Sequence, residues 1–393
     1  MSEQLRIAVL IETSRAYGRG IFHGIADYSR AHGPWSFTVQ ERDLRGGIPE
    51  WIQTWEGDGI LCRAFNPELA ELLAKAPCPV VDLYGRMQHP DIPWLDTNPD
   101  GIAKMAVEFY LNAAFTQFAY CGFHGLWFSD QREKAFVALL KKLGFPCSVY
   151  EAPANFENQD VATREGLHPQ GSDSIREWVS NLPKGTAILA CNDVRAQQLT
   201  TAAAAVGRKI PDDLAIMGVD NDKIICRFAN PSLSSIEPDT RLLGYTGSAW
   251  LHRLIKGETL PSHSALIDPI GIKERTSTDL IASEDEIFVK ALRFIRRLTD
   301  QRTQVEDVLK HVGRSRNTVE SRFREILGHS IRDEITAARI RRARCLLQQT
   351  RWPLHKIAEA SGFATTAHFC RAFKNAEKQT PTEFRSAGEP PLL

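Results

Sequence analysis

Apolar positions follow two rhythms along the chain. Up to residue 279, short apolar runs alternate with stretches in which apolar residues recur every three or four positions. The runs at residues 6–11, 37–40, 59–62, 80–83, 118–122, 187–191 and 214–219 read as strands. The stretches at 20–30, 101–113, 130–143 and 195–206 read as amphipathic helices. Apolar strands separated by helices are the pattern of a parallel sheet, whose strands need crossover connections. Two successive groups of such units predict two lobes.

After Asp279 the strand rhythm stops, and residues 284–385 read as consecutive helices. The polar stretch 275–279 marks the expected boundary. The tail 387–393, with Gly388, Pro390 and Pro391, is expected to fray. The helical region repeats a single pattern. In the first copy Val305, Val308, Leu309 and Val312 make an apolar face, Gly313 permits a tight turn, and Ser315 can cap the next helix. Val319 and Phe323 then point inward four residues apart, leaving Arg316, Asn317, Thr318, Glu320 and Ser321 facing outward. In the second copy Leu354, Ile357, Ala358 and Phe363 pack inward, Gly362 turns and Thr365 caps. Phe369 and Phe373 repeat the inward pair, and Thr366, Ala367, His368, Cys370 and Arg371 face outward. Residues 331–349 between them carry helical spacing throughout, enough for a rod of about 28 Å. Neighbouring major-groove faces of DNA lie about 34 Å apart, so such a rod can hold two readers on one side of a duplex.

Net charge changes the picture only when it is divided. The whole chain has 48 basic and 48 acidic residues, but 283–393 hold 21 Lys/Arg against 14 Asp/Glu. A basic helical end on an acidic body points to a polyanionic partner. Eight cysteines at 62, 78, 121, 147, 191, 226, 345 and 370 form no CxxC pair, and several lie in apolar segments. They read as reduced thiols, with no metal site and no disulfide framework. No segment reaches the about 20 apolar residues of a membrane span, and the N-terminus lacks the features of a signal peptide. The expected location is the cytoplasm, away from any membrane.

The helical end resembles the DNA-binding domain of the AraC/XylS family. The second copy carries the resemblance most fully: Ile357-Ala358, Ser361-Gly362-Phe363, Phe369, Arg371, Phe373-Lys374, Thr380-Pro381 and Phe384-Arg385 follow that family's signature in order and spacing. Leu309 departs from it, standing where many members have a small Ala. The resemblance implies that residues 285–386 form an all-α double helix-turn-helix domain that binds operator DNA. A generic helical bundle would explain the apolar spacing but not two glycine turns with outward Arg, Asn and Thr.

In two-lobed parallel sheets, ligands sit past the carboxyl ends of the strands. Glu12-Thr13-Ser14-Arg15 follows the first run, residues 125–132 follow 118–122, Asn192-Asp193 follows 187–191 and Asp220-Asn221 follows 214–219. Carboxylates and amides pair with sugar hydroxyls, Arg donates twice, and an aromatic ring covers a sugar's apolar face. Each of these residues, taken alone, is also an ordinary turn or helix cap. The region resembles the sensing core of LacI/GalR repressors and periplasmic binding proteins. Asn192-Asp193 followed by Ala196, the run 210–214, Gly218-Val219-Asp220-Asn221, Pro231-Ser232-Leu233, and Ser129 with Arg132 and Phe136 carry that likeness. It implies an α/β two-lobed periplasmic-binding-protein-like domain over residues 1–280, with Arg132, Asn192 and Asp220 touching the effector. Arg15 and Asp193 join them as candidates. Where that family has Asp-Asn followed two residues later by Gly, this chain has Asp96-Thr97-Asn98-Pro99-Asp100-Gly101, which leaves open which of them lines the cleft. No room precedes Leu5 for the N-terminal reading helices of LacI-type repressors.

The order of sensor and reader, with Arg15-Ala16-Tyr17, Trp55-x-Gly57-Asp58-Gly59 and Arg275-x-Ser277-Thr278-Asp279, resembles a family of sugar-operon regulators. The resemblance implies a transcription regulator, activator or repressor, with a small sugar effector, D-xylose first, a homodimer, and RNA polymerase as a further partner. No cofactor is expected. The rival reading is a cytoplasmic sugar-binding protein or an enzyme with an accessory helical domain. No GxSxG elbow, phosphate-binding loop, HExxH or GxGxxG supports an enzyme.

Overall fold

The computed structural model describes residues 4–39, 47–152, 169–279, 283, 285–297 and 303–387. The chain divides into two units, Met1–Val107 with Phe118–Thr278, and Glu108–Gln117 with Asp279–Leu393.

The first unit holds two six-stranded sheets. In chain order its elements are β1 (Arg6–Leu10), α1 (Ala16–His32), β2 (Ser36–Val39), β3 (Gly59–Cys62), α2 (Pro67–Ala74), β4 (Val80–Asp82), β5 (Trp94–Thr97), α3 (Pro99–Leu111), β6 (Gln117–Cys121), α4 (Trp127–Lys142) and β7 (Cys147–Val149). There follow α5 (Pro169–Asn181), β8 (Thr186–Ala190), α6 (Asp193–Ala205), β9 (Leu214–Val219), α7 (Lys223–Phe228), β10 (Ser234–Glu237), α8 (Thr240–Ile255), β11 (Ser264–Ile267) and β12 (Gly271–Lys273). The first sheet runs β11-β5-β4-β3-β1-β2 and the second β12-β10-β9-β8-β6-β7. Every described pairing is parallel except β12 against β10. The central strands β3, β8 and β9 are buried along their whole length, which is why they read as unbroken apolar runs.

The two lobes are not two successive groups of units, as the apolar rhythm suggested. After β10 the chain returns: Leu243, Trp250 and Leu251 of α8 pack into the first lobe's core with Ile7, Ile21 and Leu61. It then adds β11 to the first sheet and β12 to the second. The returning helix is drawn tight against α1 by glycine. A Cβ at Gly24 would lie 1.9 Å from the Arg241 carbonyl oxygen, and one at Gly244 2.1 Å from that of Ile21. Five strands escaped the sequence reading, β5, β7, β10, β11 and β12. Each has only three or four residues, and β10, Ser-Ser-Ile-Glu, is half polar.

The polar stretch 275–279 is tied into the second lobe as far as Thr278. Ser277 Oγ donates to the Ile216 carbonyl at 2.6 Å, and the Thr278 and Ser234 hydroxyls stand 2.6 Å apart, all buried.

The second unit's elements are α9 (Glu286–Arg297), α10 (Val305–Val312), α11 (Arg316–Leu327), α12 (Ile331–Gln349), α13 (Leu354–Ala360), α14 (Thr366–Glu377) and α15 (Pro381–Ala387). They form two cores. Phe288, Val308, Val319, Phe323 and Ile335 belong to one. Leu347, Ile357, Phe363, Phe369 and Phe373 belong to the other. Residues 108–117 belong to this unit: Arg296 of α9 donates to the Asn112 carbonyl at 3.1 Å and lies over the Phe109 ring. The expected fraying at 388–393 falls outside the described residues.

Candidate effector cleft and DNA-reading surface

The carboxyl ends of β1, β3, β4 and β5 bring a polar group together on the first lobe. Arg63, just past β3, pairs with Glu12, just past β1. Its guanidinium lies between two rings, 4.8 Å from the Tyr17 centroid and 4.3 Å from that of Tyr84. The Tyr17 hydroxyl is 3.4 Å from both Asp96 Oδ1 and Thr97 Oγ1. Asp82 accepts the Ala64 N–H at 2.9 Å. Burial pushes Asp82 up to about 7 and Asp96 up to about 6, and the Arg63 charge opposes the rise in both.

The second lobe answers with Trp127, Arg132 and Asp220. Arg132 is buried, donates to the Cys191 carbonyl, and stands 3.4 Å from Asp220 Oδ1. The Trp127 side chain holds the Asp96 pKa down, and the Arg132 charge acts on both Asp96 and Tyr17. Side chains of the two lobes are therefore close enough to act on one another. Asp220 has φ 104° and Asn221 φ 49°, two consecutive non-glycine residues in strained backbone at the end of β9. Such strain costs about 1–3 kcal/mol per residue and gathers where function requires it.

The residues expected from sequence separate into groups. Arg132 and Asp220 face each other in the cleft. Asn192 is the N-cap of α6, its Oδ1 accepting the Arg195 N–H at 2.9 Å. Asp193 is turned inward: its oxygens accept Ser235 Oγ at 2.6 Å and the Asp222 N–H at 2.7 Å, inside the second lobe. Burial raises it to about 8. These bonds make it a brace within the lobe. Arg15 is the N-cap residue of α1, and its carbonyl accepts the Arg19 N–H at 3.1 Å. Of the segment 96–101, the Asp96 carboxylate stands within 3.4 Å of the Tyr17 hydroxyl. Sequence reasoning missed Arg63, Asp82 and Tyr84. The rule that found Glu12 and Asp220, extended to the runs 59–62 and 80–83, would have found Arg63 and Tyr84, whereas Asp82 lies inside its run. Asp96 was hidden because β5 was not read as a strand.

In the second unit both turn glycines take positive φ, Gly313 at 73° and Gly362 at 77°. Ser315 Oγ accepts the Thr318 N–H, and Thr365 Oγ1 accepts the His368 N–H at 3.1 Å. Val319, Phe323, Phe369 and Phe373 are buried, so α11 and α14 turn opposite faces outward. Arg316, Asn317 and Ser321 are exposed on α11, and Ala367, His368 and Arg371 on α14. Three residues expected outward are partly taken up: the Thr318 hydroxyl joins the cap with Ser315 at 2.8 Å, Glu320 pairs with Arg324, and Cys370 packs at the edge of the second core. Thr366 is half-buried.

Comparison with known proteins follows these divisions. Residues 6–99 match the XylR N-terminal domain, 107–278 the periplasmic binding protein-like domain, and 308–387 a helix-turn-helix domain. A solved structure described as the xylose-binding transcription activator xylR is 26% identical, covers 98% of each chain and superposes with a TM-score of 0.62. A cellobiose complex of the regulator CelR, 19% identical, covers 69% of this chain and 84% of that one with a TM-score of 0.55, and shares the sensor fold. The xylose operon regulatory protein of Escherichia coli K12 is 28% identical over 99% of this chain and 98% of its own. That of Haemophilus influenzae is 31% identical over 98% of this chain and 99% of its own. With likeness running end to end through sensor and reader alike, the chain belongs to the xylose operon regulatory protein family of DNA-binding transcription regulators.

Proposed function

We propose that the chain activates transcription in response to D-xylose bound between the lobes of its first unit. The polar group spanning the cleft carries the reading. Asp96, Asp220, Arg63 and Arg132 offer donors and acceptors to hydroxyls, while Tyr17, Tyr84 and Trp127 offer ring faces. Each guanidinium already has a carboxylate, Arg63 with Glu12 and Arg132 with Asp220. That balance suits an uncharged polyol and disfavours a sugar phosphate. Two names support xylose in particular: the relatives are xylose operon regulatory proteins, and the similar structure is described as xylose-binding. Arg316, Asn317, Ser321, Thr366, His368 and Arg371 serve as the DNA contacts of the two readers.

Titration calorimetry of the full chain tests the sensor, with D-xylose, L-arabinose, D-glucose and a pentose phosphate as ligands. Heat with D-xylose and none with the phosphate is expected. Silence with every neutral sugar would defeat the reading. The proposal places the protein in the cytoplasm, as a homodimer on repeated operator sites and in contact with RNA polymerase. Sedimentation with and without operator DNA tests the dimer. Among the described residues no helix is long and apolar enough to cross a membrane.

A further inference from the structure

The two readers share one helix, and they share it unequally. Ile331, Ile335 and Ala338 of α12 belong to the first core, whereas Ile340, Ala343, Leu346 and Leu347 belong to the second. Within each set the steps are mostly the three or four residues of one helix face. Between Ala338 and Ile340 the step is two, which turns the apolar stripe by about 200° at 3.6 residues per turn. The cores therefore lie on different faces of α12, and Arg339 stands at the hand-over, about 100° from each neighbour.

Arg339 touches both sides. It donates through Nη2 to the Thr303 carbonyl at 2.7 Å, in the segment leading into α10 of the first reader. Its guanidinium carbon is 5.8 Å from the ring centroid of Phe363, which follows the turn glycine of the second reader. Among the described residues no carboxylate pairs with it, and its buried Nε has no hydrogen-bond partner. A half-buried cation without a counter-ion is costly. Surface solubility would not place one at this seam, and burial of the apolar faces does not require one.

We propose that Arg339 is a specificity-determining positioning residue that locks the two helix-turn-helix units in one relative orientation, so that the domain measures the spacing between two half-sites. The inference rests on the reading that α11 and α14 both enter the major groove. Two readers joined rigidly act as a bivalent ligand whose second contact succeeds only where the geometry matches. Each added base pair moves a half-site about 3.4 Å along the duplex and about 35° around it. A rigid pair answers such a step with a large loss of affinity, whereas a loose pair answers with a small one.

The test uses the full chain and a duplex that the wild-type protein selects from a random-sequence library. One base pair is then inserted or removed between the two selected blocks, and a third duplex has one block scrambled. The wild type is expected to lose about tenfold or more in affinity per changed base pair, and Arg339→Met, which keeps the stem without the guanidinium, less than about threefold. On the scrambled duplex the two proteins are expected to agree within about twofold, because each reader's own surface is untouched. An unchanged spacing penalty in Arg339→Met overturns the proposal, as does a uniform loss on all three duplexes. Should Arg339→Met fail to melt cooperatively, Arg339→Lys decides. It keeps a donor for Thr303 but has no planar guanidinium to span Thr303 and Phe363 at once, so its penalty is expected between the two, and a wild-type penalty overturns the proposal. A selected sequence with a single block of bases overturns the two-reader reading itself. Two blocks with an unchanged penalty overturn the role of Arg339 alone.

Discussion

Asp220 holds a carboxylate beside Arg132 on backbone that a residue with a Cβ adopts under strain. Glycine would take φ 104° freely. Asp220→Gly and Asp220→Ala both remove the partner of Arg132, so their difference isolates the backbone. The Gly variant is expected to be the more stable by about 1 kcal/mol in chemical denaturation. Both should weaken D-xylose by at least about tenfold in calorimetry, because a sugar hydroxyl left unpaired in a closed cleft costs about 1–3 kcal/mol. Equal stability of the two variants would mean that the strain is not stored there. Asp193 presents the opposite case, a carboxylate spent inside its lobe. Its raised value of about 8 means that the folded chain keeps a proton which the unfolded chain releases near pH 4. The stability this contributes is complete below about pH 4 and is lost as pH rises through about 8. Melting temperatures of Asp193→Asn and wild type, compared from pH 6 to 9, should therefore move in the variant's favour as pH rises. A constant gap would show that Asp193 does not titrate there.

At the scale of elements, α11 and α14 are each entered through a positive-φ glycine and a hydroxyl cap. Gly313 has open space around its missing Cβ, so Gly313→Ala should cost only the strain of φ 73°, about 1 kcal/mol, read as a lowered melting temperature of the reader. Ser315→Ala should cost a similar amount, about 1 kcal/mol, through the lost cap. Asn317 and Arg371 lie on the exposed faces of these helices. Asn suits adenine and Arg suits guanine, so Asn317→Ala and Arg371→Ala should each cost about 1–3 kcal/mol on the selected site and relax preference at one base position. Weakening by the same factor on every sequence would identify phosphate contacts instead. These helices were legible in the sequence because glycine, cap and inward pair fall within about ten residues of one another. The strands β10 and β12 were not: Ser-Ser-Ile-Glu and Gly-Ile-Lys each hold a single large apolar residue and so make no apolar run.

The whole chain joins a basic reader to an acidic sensor in sequence, 21 Lys/Arg against 14 Asp/Glu over residues 283–393 in a chain that balances overall. Affinity of the full chain for its operator should fall on a log-log salt plot with a slope of about 0.9 per phosphate contact. A salt-independent affinity would contradict groove binding by this domain. Sugar can alter DNA binding only through different affinities for two lobe arrangements, and DNA must then alter sugar affinity by the same factor. Calorimetry with D-xylose in the presence and absence of operator reads that factor from the other side, and a factor of one would show that sugar and DNA binding are uncoupled. The sequence by itself determined the class of each half, because parallel strands and helix-turn-helix units carry their period and their turn residues within short stretches of chain. It also singled out Arg132 and Asp220, which stand directly after or near apolar runs that were read correctly. Only the tertiary structure decided that the chain returns through α8 and β11 to the first lobe. It alone brought Glu12, Arg63 and Asp96 together and tied Asp193 to Ser235 and Asp222. The physical reason is separation. Residues 12, 63, 96, 132 and 220 meet through sheet order and lobe packing, which depend on contacts among many residues at once, and no local rhythm of apolar and polar positions records those contacts.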